Sequence, residues 1–160
     1  APDIKIQQDT IDEYLIKLAN NDVFFDYAVH YYYSHQDWAP KNPTSFNFSK
    51  ADFTEFITWF KTTDYKITLT AEKNLKELES YLYNNKKQLT EISQKIEVKK
   101  QNVLDTNEKL IAKAIQEQLI AHYFYKPGKI EASLSHDKDL IKAKAILNDR
   151  SIYQGVLIKK

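Results

Sequence analysis

Residues 88–125 read QLTEISQKIEVKKQNVLDTNEKLIAKAIQEQLIAHYFY, with no glycine or proline. Leu89, Ile92, Ile96, Val103, Leu110, Ile111, Ile115 and Leu119 recur at spacings of three, four or seven. That is the period of an amphipathic helix. The run predicts one continuous helix of ~38 residues, about 57 Å at 1.5 Å per residue. Lys99 and Thr106 interrupt its apolar seam, where packing is expected to pause. A helix of that length must bury its seam against another helix, a second chain or a neighbouring domain.

The rest of the chain points the same way. Only Gly128 and Gly155 are glycines in 160 residues. A β-rich domain spends more glycine on its tight turns. The fold class is therefore read as all-α, a helical domain around one long helix. Tyr65-Lys66-Ile67-Thr68-Leu69 alternates and is expected to be a short extended piece.

Upstream, a first helix is expected from about Thr10, as N-cap, to Ala19, with Ile11, Tyr14, Leu15 and Leu18 on its apolar face. Asn20-Asn21 break the chain. A second helix follows over 22–36, with Phe24, Ala28 and Tyr31 on one face and Phe25, Val29 and Tyr32 on the next. Its wide apolar arc predicts extensive burial. Pro40 and Pro43 make 37–48 a loop. Ser49 and Asp52 form a capping box that opens a helix to Lys61, carrying Phe53, Phe56 and Phe60 beside Trp59. Thr70 caps a further helix with Leu75, Leu78 and Leu82. Downstream, Lys126-Pro127-Gly128 is expected to stop the long helix. A final helix is expected over 138–148, with Leu140, Ala143 and Leu147 inward, and a last turn with Ile152, Tyr153, Val156 and Leu157.

Composition bounds the function. Hydrophobic residues at 42% can build a core, and no apolar run has transmembrane length. No basic-then-apolar signal segment opens the chain. It begins Ala1-Pro2-Asp3, which is expected of a processed protein or an excised domain. The absence of cysteine excludes disulfides, thiolate nucleophiles and Cys-based zinc sites, and suits periplasm and cytoplasm alike. Residues 1–80 carry a net charge of −5 and residues 81–160 one of +6. Either the halves attract one another or the second faces an acidic partner. Arg150 is the one arginine among 23 basic residues. A lysine surface mixed with acids reads as solvated helix, so no nucleic-acid partner is expected.

Ser133-Leu134-Ser135-His136-Asp137-Lys138 holds the three residue types of a hydrolase triad and a Ser-x-x-Lys spacing. Triad members must converge in line from different parts of a fold, whereas successive helical residues fan out by about 100°. A lysine base must be desolvated, and Asp137 and Asp139 on either side of Lys138 favour its charged form. The stretch reads as a helix start, with Asp137 or Ser135 as N-cap. Among the histidines, His30 and His35 lie on different helical faces, and His122 is expected to pack with Tyr123-Phe124-Tyr125. Asp26 and His30, at i,i+4, read as a surface hydrogen bond. No Gly-rich phosphate loop is present. The aromatic run from Phe24 to Trp38 reads as core packing. Catalytic, cofactor-binding and metal-binding residues are therefore all read as none.

The last third reads Ala121-His122-Tyr123-Phe124-Tyr125-Lys126-Pro127-Gly128-Lys129-Ile130-Glu131-Ala132-Ser133-Leu134, then Asp137, Ala145-Ile146-Leu147-Asn148-Asp149 and Tyr153. This resembles the C-terminal region of bacterial C-terminal processing (tail-specific) serine peptidases of the Bacteroidetes type. That family shows an Arg-Tyr-Tyr cluster, a glycine, Ile-Glu-Ala-Ser-Leu, an aspartate and a Leu-Asn-Asp close. Phe24-Phe25-Asp26-Tyr27-Ala28, Tyr31, Phe53 and Phe56 resemble its aromatic helices. Pro2-Asp3-Ile4 resembles the end of its protease domain. His122 stands where the family often has arginine, and Lys126-Pro127 precede the glycine. The resemblance implies that residues 1–8 are a remnant of the strand leaving the protease domain and that 9–160 form a non-catalytic helical domain. The nucleophilic serine, its lysine base and the PDZ module would all precede Ala1. Implied partners are the upstream PDZ and protease domains, protein substrates of the parent enzyme and a second copy through the long helix. The implied location is the periplasm or cell envelope, and the implied roles are bracing, gating or oligomerisation. The alternative is a free-standing helical scaffold of the envelope.

Overall fold

Local capping signals decide where the helices begin. In a computed structural model, residues 10–37, 39–79, 81 and 85–158 are described. Among these the chain forms eight helices and no strand, as the all-α reading expects. The proposed remnant 1–8, Trp38, Leu82 and the side chain of Val156 lie outside the described residues.

Helix α1 spans Glu13–Asn20. Asp12 caps it, not the expected Thr10, because the Asp12 carboxylate accepts from the Tyr14 amide at 2.8 Å and its charge suits the helix N-terminus. Helix α2, Val23–Ser34, starts after Asp22 turns the corner at a positive φ of 57°. Helix α3, Lys50–Lys61, opens on the predicted capping box. The Ser49 amide donates to Asp52 Oδ2 at 2.7 Å, and the Asp52 amide donates to Ser49 Oγ at 3.2 Å. Helix α4 spans Thr70–Glu79. The Leu69 amide donates to Glu72 Oε2 at 2.7 Å, while Thr70 donates from its amide and hydroxyl to Glu13 Oε1. A carboxylate of α1 thus holds the start of α4. Helices α5 (Lys86–Thr106), α6 (Glu108–Leu134), α7 (Lys138–Asn148) and α8 (Arg150–Ile158) complete the chain.

The core lies between α1, α2, α3 and the C-terminal half of α5 continuing into α6. Helix α2 runs along α6, the most extensive helix–helix contact. Leu18, Val23, Tyr27, Phe56, Ile111, Ile115, Leu119 and Ile120 are wholly enclosed. Tyr27 packs edge-on against Phe56 with centroids 5.1 Å apart, and Phe24, Phe53 and Phe60 surround the same Phe56 ring. Phe46 and Phe48, in the proline loop, turn inward to close this cluster. Residues 64–69 are neither helical nor turned. Ile67 and Leu69 point inward while Lys66 and Thr68 stay exposed, the alternation the sequence predicts.

The ~38-residue helix is the main correction. It is broken at Asn107, which leaves helical geometry at φ −111°, ψ 24°. Thr106 and Asn107 each turn a side chain back onto the carbonyl four residues earlier, at 2.7 and 2.8 Å. Such bonds offer the backbone an alternative to the helix ladder. A second break falls at Tyr125, with φ 57° and ψ −165°. The helix thus stops beside Lys126-Pro127-Gly128 as expected, but a new helical segment begins there at once. Proline clashes with a preceding turn but is tolerated in the first turn of a new one, so the chain kinks at Tyr125 and resumes to Leu134. The kink brings Phe124 over Gly128, where a Cβ would fall on Phe124 Cβ and lie 3.3 Å from Pro43 Cγ. A second correction concerns α7. Ala143 and Leu147 are exposed instead of inward, because α7 packs on α8 and not on the core.

Gly128→Ala is expected to destabilise the fold by about 1–3 kcal/mol in urea unfolding, since Phe124 Cβ moves only with its backbone. Gly155→Ala, with nothing within 4 Å of an added Cβ, is expected to be neutral or to stabilise by up to about 1 kcal/mol. Phe56→Ala is expected to cost about 3–5 kcal/mol in the same measurement.

Candidate functional site

The stretch with the letters of a hydrolase is spent on helix ends. Ser133 Oγ donates to the Ile130 carbonyl at 2.8 Å and Ser135 Oγ to the Ala132 carbonyl at 2.7 Å. Both hydroxyls thus bond carbonyls of the last turns of α6, and the Ala132 carbonyl is one of the last four, which have no partner inside the helix. Asp137 Oδ1 accepts from the Leu140 amide at 2.9 Å and is the N-cap of α7. Ser135, His136 and Lys138 are all exposed.

The other three histidines lie against aromatic neighbours. His30 stacks on Trp59 at 5.9 Å. The expected Asp26–His30 hydrogen bond is not formed, because Asp26 accepts instead from the Tyr65 hydroxyl. Burial first, and that bond second, push the Tyr65 phenol up to about 12. His35 stacks on Tyr31 at 3.9 Å, with Nε2 3.7 Å from Glu55 Oε2. His122 packs mainly between Phe25 and Tyr32, at 5.5 and 5.8 Å, and its Nε2 is buried without a hydrogen-bond partner. Among the described residues no three His, Asp or Glu side chains converge to hold a metal.

The strongest polar constellation is one the sequence reading passed over. Lys100 is only 9% exposed. Its ammonium donates to Glu72 Oε1 at 2.8 Å and Glu97 Oε1 at 2.9 Å, and stands 5.9 Å from the Tyr14 ring centre. Ile96, Lys100 and Val103 share one helical face, so a lysine on the buried stripe was the available signal. Lys99, flagged as the interruption, is exposed and lies 3.7 Å from Asp12. Both lysines tie the basic half of the chain to the acidic half. Burial pushes Glu72 up, but bonds from Lys100 and the Leu69 amide outweigh it and hold the carboxyl below its ordinary value. Burial likewise pushes Lys100 down, and its two carboxylates outweigh that and raise it. The clamp joins α4 to α5 and borders a cleft of about 560 Å³ walled by α3, residues 65–68 and α5.

Exposed apolar side chains gather elsewhere. Ile141, Leu147, Ile152, Tyr153 and Leu157 are open on α7 and α8, and α7 buries no residue at all. Ile11, Ile16 and Leu110 flank a smaller apolar groove between α1 and α6.

A protein-family model described as the C-terminal helical domain of a probable PDZ-protease matches residues 14–147. No curated protein and no solved structure matches the chain.

Lys100→Ala is expected to lower stability by about 1–3 kcal/mol, by stranding the partly buried Glu72 carboxylate. The pH dependence follows from the two shifts. Glu72 is lowered, so its share is present above its ordinary value of 4.5 and is lost as pH falls through the lowered one. Lys100 is raised, so its share is present below its ordinary value of 10.5 and is lost as pH rises through the raised one. The stability difference between parent and Lys100→Ala, followed by urea midpoints across pH, is therefore expected to be flat between these limits and to shrink beyond each.

Proposed function

Because the chain belongs to the family of C-terminal helical domains of probable PDZ-proteases, we propose that it is a non-catalytic brace for the protease domain of the same polypeptide. The observation that carries this reading is the apolar surface of α7 and α8. An amphipathic helix folds by burying its stripe against another element. Here α7 buries none of its residues, and Leu147 is 66% exposed. Such a pair of helices is complementary to an apolar neighbour outside the chain. The groove flanked by Ile11, Ile16 and Leu110 lies beside the N-terminal end of the described chain, where an upstream domain would be tethered.

The chemistry of the parent enzyme, by resemblance, is attack of a serine hydroxyl on a peptide carbonyl with a lysine amine as general base. Both groups belong to the upstream protease domain, and the location is the periplasm or envelope. Residues of the present chain supply rigidity and surface. Pairing of two copies along α5 is a second reading, supported by Ile92 and Val98, which are exposed on that helix. Light scattering tests it, and a monomer at high concentration removes it.

In the polypeptide that carries the PDZ and protease domains, Leu147→Glu with Leu157→Glu is expected to lower the protease domain's thermal midpoint and its cleavage rate. Each charge in a buried apolar contact costs about 2 kcal/mol or more. Circular dichroism of the 160-residue chain with the same changes is expected to stay helical. Unchanged midpoint and rate would sink the bracing role. The 160-residue chain alone is expected to cleave no tailed substrate, and cleavage abolished by Ser135→Ala would overturn the non-catalytic assignment.

A further inference from the structure

We propose that the cleft between α3, residues 64–68 and α5 takes an extended, acidic segment of another polypeptide, which adds as a strand along residues 64–68. Three features of the cleft lead there. Residues 64–68 alternate like a strand, yet none of their backbone N–H or C=O groups bonds to another group among the described residues. Five residues of unpaired extended backbone, ~17 Å at about 3.3 Å each, form a template for an added strand. Residues 65–68 line the cleft consecutively, so the template borders the open volume of about 560 Å³.

The floor supplies the second feature. Tyr14 is 6% exposed, and its hydroxyl has no hydrogen-bond partner among the described residues. It lines the same cleft. Its hydroxyl, free of any partner among the described residues, is placed to donate to a peptide carbonyl or carboxylate entering the cleft. The third feature is charge. On the floor, Lys100 is held by Glu72 and Glu97. Lys61 and Lys66 stand on the exposed rim without an ion pair among the described residues. The three lysines against two glutamates leave the lining net positive, with the surplus at the rim. Carboxylate side chains of the incoming segment would meet Lys61 and Lys66, while its backbone pairs with 64–68 and its apolar side chains face Ile67 and Tyr14. Such a segment binds by main-chain hydrogen bonds, with side-chain pockets setting the preference. This surface is separate from α7 and α8, so the inference stands or falls apart from the bracing role.

The test uses the 160-residue chain and a fluorescent peptide of about six residues alternating aspartate and valine, the length of a typical strand. Saturable binding is expected, with hydrogen exchange slowed at the amides of residues 65–68. A peptide alternating lysine and valine, or binding of the acidic peptide to Lys61→Glu with Lys66→Glu, is expected to be about tenfold weaker. Both lysines are exposed, so the double variant is expected to keep its circular dichroism. Replacing alternate valines of the peptide by proline, which removes ladder donors, is expected to weaken binding as well. Absence of binding overturns the proposal. So does binding that leaves exchange at 65–68 unchanged, or binding that is indifferent to the sign of the peptide's charge.

Discussion

Asp52 joins the start of a helix to the closing of the core. Its carboxylate accepts from the Ser49 amide and hydroxyl, completing the cap of α3, and also accepts from the Tyr31 hydroxyl at 2.9 Å. Its carbonyl accepts from the Tyr27 hydroxyl at 3.2 Å. Two buried tyrosines of α2 are therefore satisfied at the first turn of α3. Without a partner, each phenol would lose in desolvation much of what its ring gains by burial. Burial first, and the neighbouring carboxylates second, push both tyrosines well above the ordinary phenol value, so they stay neutral donors. The orientation of α3 on α2 then places Phe53, Phe56 and Phe60 around Tyr27 and Phe24.

The second organising feature is the pair of breaks in the run from 88 to 134. An unbroken rod offers one straight seam. The break at Asn107 and the kink at Tyr125 divide it into segments that serve different neighbours. Helix α5 meets α4 and α1, and α6 lies along α2. Gly128 permits the last of these turns, because the resumed helix passes so close to Phe124 and Pro43. A positive φ at a tyrosine costs on the order of 1–3 kcal/mol, which the surrounding packing must supply.

In the function proposed, the surfaces of the domain carry the role. The side chains whose types suggest bond-breaking chemistry, Ser133, Ser135 and Asp137, hold the end of α6 and the start of α7. What the chain leaves open is an apolar face on α7 and α8 and a polar cleft bordered by unpaired backbone. On the proposed reading both surfaces meet other polypeptide; the family itself is that of C-terminal helical domains of probable PDZ-proteases.

The all-α class, the capping box of α3, the alternation at 65–69 and the helix over 138–148 were legible in the amino acids. Each rests on interactions within a few residues, and those depend on local order alone. The aromatic face of α2 and α3 was legible for a related reason, since helical period determines which side chains point the same way. Partners were not legible. That Asp26 would meet Tyr65 instead of His30, that Phe46 and Phe48 would close the core from a loop, and that Lys100 would be buried between two glutamates depend on how distant segments meet. The breaks at Asn107 and Tyr125 and the exposure of Leu147 belong with these. A periodic stripe says that a face is apolar, whereas only the assembled helices determine whether anything in the same chain lies close enough to cover it.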